Sequence, residues 1–193
     1  MFSIGLLVVM AAPVITSTSS FTADQIKRLK AHEILVERGT PADGKGVSAT
    51  MVAVVKAPVK AVIPAVHDCA DFHEFVPRTV KSEERSRKGN HRVCFVEVDM
   101  PFPLDNVWSV ADVYGIHEPD GRFTRRWYTK EGSFKKNEGS WSLIPWGPKK
   151  RQTLAIYQVE TEPDIAIPTF IIRSAQGTSL PKLMTAIRNR VAR

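Results

Sequence analysis

The sequence predicts an α+β domain: a curved antiparallel β-sheet wrapped around a long C-terminal α-helix, with two short helices between the early strands. Three observations predict it. The segment from Ile167 onward carries a helical stripe of Leu180, Leu183, Met184, Ile187 and Val191, preceded by Phe170 and Ile171. Between Arg78 and Thr161 runs of β-forming residues alternate with turn signals. Two short helix-like stretches, each bounded by proline, sit between the strand-like run that ends at Lys56 and the one that begins at Arg78.

Each element has its own signal. Thr22 followed by Gln25 fits a capping box for a helix through Lys30. Glu33 to Gly39 reads as a strand, Thr40 to Gly46 as a cluster of breakers, and Val47 to Lys56 as a second strand. Pro58 suits a first helical turn, and Asp68 to Phe75 ends before Pro77. Arg78 to Arg85 is a strand that turns at Lys88-Gly-Asn90. In His91 to Met100 the even positions Cys94, Val96, Val98 and Met100 are apolar, the period of a half-buried strand. Asn106 to Ile116 and Arg122 to Lys130 flank a turn at Pro119-Asp-Gly121. Glu131 to Glu138 reads as a polar loop, followed by strands Gly139 to Ile144 and Arg151 to Thr161. A final helix of about 24 residues spans about 36 Å. A ten-residue strand spans about 33 Å, so the helix can run the length of the sheet's concavity.

Composition narrows the function. The chain has 193 residues, 27 Lys and Arg against 20 Asp and Glu, a net charge of +7 and a pI near 9.6. The basic residues form no long run, and neither zinc-finger spacing nor an RNA-binding signature is present, so no nucleic-acid partner is expected. A solvated basic surface is the plain reading; peripheral contact with an anionic membrane is the functional one. Residues Phe2 to Ile15 are uncharged and mainly apolar, too short to span a bilayer, and small residues follow. Residues 1–20 are therefore expected to be a signal peptide or an apolar anchor, and 21–193 the folded domain. No Lys or Arg precedes the apolar run, which leaves a segment packed on a cytoplasmic domain as the alternative to export or tethering.

With these residues in view, the chain resembles the START-like, polyketide cyclase and coenzyme Q-binding superfamily, also called helix-grip or SRPBCC. The resemblance covers Glu33 to Arg190. It is carried by Val54-Val-Lys-Ala-Pro58, by Asp68 with Phe72, Phe75 and Pro77, and by the corner Met100-Pro-Phe-Pro-Leu104. Gly139-Ser-Trp141, Thr153 to Tyr157, Glu162-Pro163, Ile167-Pro168 and Leu180-Pro181 extend it. It implies a cavity between sheet and C-terminal helix that binds, and in some members transfers, a lipid or other hydrophobic small molecule. It implies no cofactor, and a monomer is expected. An Arg-Asp pair follows the proline corner in many lipid-transfer relatives; here the stretch is Asp105-Asn106-Val107-Trp108, so that polar contact does not carry over.

The expected lining is Val96, Val98, Trp108, Val110, Asp112, Tyr114, Trp127, Trp141, Tyr157, Phe170, Ile171, Leu183, Met184 and Ile187. Asp112, among apolar neighbours, either meets Arg125 or Arg126 in the pocket or faces solvent. Glu131 to Glu138 and the closing helix are expected to move to admit ligand. His67, Cys69, Asp71 and His73 have metal-like spacing, but the pairs fall on different helical faces, so a polar helix surface is expected and no metal. Cys69 and Cys94 pair only if their Cα atoms come within about 4.4–6.8 Å. Cys94 lies on an apolar strand face, so a buried free thiol is the favoured reading. No Gly-x-Ser-x-Gly, His-Glu-x-x-His, Walker or Gly-x-Gly-x-x-Gly motif occurs, and no catalytic residue is assigned. A cyclase- or dehydratase-like enzyme with acid–base groups among His67, His73, Asp112 and Tyr157 is the alternative, and an interaction module with a filled core the third.

Overall fold

A computed structural model describes residues 21–102, 104–164 and 169–193, with the side chains of the last segment described from 178. The leader at 1–20, Pro103, and the expected lining residues Phe170 and Ile171 lie outside the described residues or side chains. Helix α1 (Ala23–Lys30) begins at Thr22, whose hydroxyl accepts from Gln25 N while the Gln25 side chain accepts from Thr22 N. That reciprocal pair satisfies two orphan donors of the first turn. Strands β1 (Ile34–Gly39) and β2 (Val47–Val55) form a hairpin. Helix α2 (Val59–His67), a 3-10 turn at Cys69–Asp71 and helix α3 (Phe72–Phe75) follow. Then come β3 (Thr79–Lys88), β4 (His91–Val98), β5 (Val107–His117), β6 (Phe123–Gly132), β7 (Phe134–Trp146) and β8 (Gln152–Pro163). Helix α4 (Thr169–Val191) closes the fold and continues through Pro181.

The eight strands form one curved, open sheet in the order β1-β2-β8-β7-β6-β5-β4-β3, with every neighbouring pair antiparallel. Strands β3 through β8 neighbour one another in sequence order, as hairpin-linked strands do. Helices α2, α3 and α4 lie on the concave face, where Met51, Ala53, Val62, Val66, Phe123, Trp141, Leu143, Met184 and Ile187 are buried in the main core. Helix α1 covers the opposite face of β2, β7 and β8, burying Leu29 with Val52, Val54, Ile144, Leu154 and Ile156. Both faces of the β2 end are thus covered. This explains why Met51 to Val55 is an unbroken apolar run while other strands alternate.

Two basic residues that composition counts as surface charge hold α4 in place. Arg188 donates to Val54 O at 2.8 Å and to His32 O at 3.2 Å. Arg190 pairs with Asp71 at 3.3 Å and Glu74 at 3.1 Å and lies over the Phe75 ring.

Two expectations are corrected. Glu131 to Glu138 is not a loop: β6 runs to Gly132, β7 starts at Phe134, and Ser133 alone lies between them. Ser133 N donates to Trp108 O, and Ser133 Oγ accepts from Trp108 N, fixing the corner. The charges in this stretch that suggested a loop serve the sheet, with Lys136 bonded to Glu160 on β8 at 2.5 Å. The second correction concerns the thiols. Cys69 and Cys94 form a disulfide with Cα atoms 6.1 Å apart, tying the turn after α2 to β4. The apolar face that suggested a free thiol is real, since both residues are buried, and the bond lies within it.

Candidate ligand cavity

A cavity of about 230 Å³ lies between the concave face of β4 to β8 and the helices. Small-molecule pockets typically run from roughly 300 Å³ upward, so this one suits a compact body. Its sheet wall is built from alternate residues: Cys94, Val96 and Val98 on β4, and Val107, Ser109, Ala111 and Val113 on β5. Ala65 and Val66 of α2, Phe72 of α3 and Leu183 and Ile187 of α4 form the opposite wall. The cavity's end is aromatic. The rings of Trp127 and Tyr157 stack at 5.5 Å, and Trp141 meets Tyr157 at 4.8 Å. Tyr157 is half-buried by surface area because the cavity touches it, yet it lies deep in the protein, and burial pushes its phenol up to about 12.

Glycine makes this arrangement possible. Gly139 stands opposite Trp127 in the β6–β7 pairing, and a Cβ there would fall 2.6 Å from the Trp127 ring. The tryptophan ring therefore sits directly against the neighbouring backbone. Beyond this pair the strands separate, and the Thr129 hydroxyl bridges them by donating to Asn137 O and accepting from Asn137 N.

Arg125 is the charged residue of the lining and is only 7% exposed. Its guanidinium lies 4.9 Å from the Trp127 ring and 5.9 Å from Phe72. Its Nε has no hydrogen-bond partner among the described residues. Burial, with Arg92 adding to it, holds its pKa down to about 10, so it remains a cation at neutral pH.

Of the fourteen expected lining residues, Val96, Val98, Trp127, Trp141, Tyr157, Leu183 and Ile187 border this cavity. Met184 is fully buried in the core beside it. Trp108, Val110, Asp112 and Tyr114 do not: β5 presents its odd residues inward, so its even residues all face the other way. Strand periodicity makes such an error wholesale, because a one-residue slip in parity moves every side chain to the opposite face. Trp108 packs against Phe95 there, and Tyr114 stacks on His91 at 4.8 Å. Asp112 is bonded to His91 Nε2 at 2.7 Å and approached by Lys130 at 3.5 Å, not by Arg125 or Arg126. The residues overlooked are Val107, Ser109, Ala111 and Val113. Their signal in the sequence was the same alternation read one residue over.

The sequence profile described as polyketide cyclase / dehydrase and lipid transport matches residues 55–188. The chain belongs to that family. No curated protein matches it. Among solved structures, a STAR-related lipid transfer protein from Xanthomonas axonopodis superposes with a TM-score of 0.73 at 17% identity, covering 83% of this chain and 94% of that one. Human StAR-related lipid transfer protein 5 gives 0.72 at 13% identity, covering 82% of each. The Zhui aromatase/cyclase from Streptomyces sp. R1128 gives 0.53 at 13% identity, covering 82% of this chain and 92% of that one. At these identities the likeness establishes the START-like helix-grip fold, which the family uses for both lipid transport and cyclase chemistry.

Of the four acid–base candidates Tyr157 borders the cavity, and the other three do not. His73 Nδ1 lies 2.9 Å from Ser82 Oγ and 3.0 Å from Ala70 O, in a contact that pins α3 to β3. Asp112 is on the far face, and Cys69 is bonded to Cys94. Among the described residues no His, Cys, Asp and Glu side chains gather as a metal cluster. His67 is buried with its ring edge-on to Phe123, and its Nδ1 has no partner among the described residues. Burial first, then the charges of Arg92, Arg125 and Arg87, push its pKa from 6.5 down to about 4. Between those values the unfolded chain binds a proton that the folded one refuses. Stability is therefore complete above pH 6.5 and falls as pH drops toward 4. Denaturant titrations at pH 7 and pH 4.5 will show this loss, and His67→Leu will shrink it. An unchanged slope in the variant would assign the acid sensitivity to other groups.

Proposed function

We propose that this protein binds a hydrophobic small molecule in the cavity between sheet and α4 and carries it outside the cytoplasm. The observation that supports this most is the cavity itself, walled by aliphatic side chains and ended by the Trp127–Tyr157–Trp141 cluster. Moving an apolar body from water into such a wall is favourable by about 25 cal/mol per Å². Carriage rather than catalysis is favoured because, of the four acid–base candidates, Tyr157 borders the cavity while His67, His73 and Asp112 do not join it there, where an acid–base enzyme needs a pair. The export reading draws on the Cys69–Cys94 disulfide, since such bonds persist in oxidising compartments. Peripheral contact with an anionic membrane remains part of the proposal, drawing on the net charge of +7.

The test is extraction. Protein purified from its natural host, analysed by native mass spectrometry and solvent extraction, is expected to carry a hydrophobic molecule. Ala111→Phe, which fills the wall of β5, is expected to lose most of it while keeping a native circular dichroism spectrum. Wild-type protein that arrives empty and binds no hydrophobic probe would sink the carrier reading.

A further inference from the structure

Arg125 is a buried cation in a largely apolar wall. A buried cation costs several kcal/mol unless an anion and hydrogen-bond acceptors meet it. Here the described residues provide aromatic faces, which attract the charge but accept no N–H bond along Nε. No carboxylate pairs with it among the described residues, and Arg92 on β4 adds repulsion. Arg92 is itself neutralised, by Asp68 at 2.8 Å and Glu84 at 2.6 Å. The contrast is local: two buried arginines on the same face, one fully paired and one not.

We infer that Arg125 is the head-group anchor of the cavity, and that its ligand is a compact amphiphile bearing one carboxylate at the end of an apolar body. This rests on the carrier reading and narrows it. The guanidinium fork matches a carboxylate with two parallel N–H···O bonds, a geometry that a hydroxyl or an ester carbonyl cannot complete. The rest of the wall argues for a single acidic end. Beside the Trp127 ring that Arg125 faces it offers Tyr157, whose phenol stays protonated and is a hydrogen-bond donor to the cavity. Elsewhere it is chiefly apolar, apart from Thr79 and the pair Ser109 and Asn137, which engage each other at 3.4 Å. The ligand's apolar body would lie against Trp127, Ala111 and Val96, away from the charge.

Decanoate and decanol separate the two readings. Isothermal titration of the wild type is expected to give at least tenfold tighter binding of decanoate. Arg125→Met is expected to erase that preference while still binding decanol. Arg125→Lys, which keeps the charge and loses the fork, is expected to retain only part of it. Thermal melting adds a readout independent of ligand: without ligand, Arg125→Met is expected to melt higher than wild type, because it removes an unpaired buried charge. Equal wild-type affinities for acid and alcohol would overturn the head-group inference and leave the carrier reading intact. A preference that survives in Arg125→Met would overturn it too. Binding of neither probe would overturn both. A lower melting temperature for Arg125→Met would count against the inference, since it would show the guanidinium to be paired within the protein.

Discussion

Replacing Cys69 and Cys94 together by alanine is expected to lower the melting temperature by roughly 6–12 °C. The bond closes a loop with a sequence separation of 25. Releasing such a loop restores chain entropy to the unfolded state worth about 3 kcal/mol. A domain of this size moves by roughly 2–4 °C per kcal/mol. The consequence reaches the cavity, because Cys94 is part of its wall and the turn at Cys69 leads into Phe72, which faces Arg125. The variant is therefore expected to bind decanoate more weakly as well as to melt earlier. Thiol alkylation of denatured protein from the natural host supplies the direct check. Protein with no reactive thiol supports the bond and the oxidising compartment. Two thiols, with no change in melting on substitution, would remove both.

Most of the architecture was legible because its signals are local. The capping box at Thr22 and Gln25, the alternation in β4 and the stripe on α4 each follow from a repeat visible within a dozen residues. The cavity was harder to read because a hollow inverts the usual rule of size. On β5 the large residues Trp108 and Tyr114 point outward, while Ser109 and Ala111 point inward. A filled core would place the bulky set inside; a wall that must leave space places the small set there. Pairing across long separations was also beyond local reading. Nothing near Cys69 in sequence announces Cys94, and nothing near Arg125 announces that no carboxylate among the described residues awaits it. The polar stretch Glu131 to Glu138 misled for a similar reason. Its lysines and glutamates look like loop residues until β8 supplies Glu160 opposite them.

The second large effect is expected at Gly139, whose role is visible only in three dimensions. Alanine there would put its Cβ 2.1 Å from Gln158 O and 2.6 Å from the Trp127 ring, well inside contact distance. Relief requires both moving β8 away from β7 and lifting Trp127 off the strand. The cost is expected near about 3 kcal/mol, the upper end for overpacking. At roughly 2–4 °C per kcal/mol, the melting temperature should fall by roughly 6–12 °C. The two contacts can be told apart. Trp127→Ala removes the ring and leaves the backbone oxygen in place, so adding Gly139→Ala to it tests the backbone clash alone. If that clash dominates, the pair of substitutions destabilises well beyond Trp127→Ala. If the ring dominates, Gly139→Ala becomes nearly silent once Trp127 is gone. In either case Gly139→Ala is expected to weaken decanoate binding, because Trp127 holds both the cavity's aromatic end and the face beneath Arg125. A Gly139→Ala protein with wild-type melting and wild-type affinity would contradict the close packing of β6, β7 and β8 on which the cavity depends.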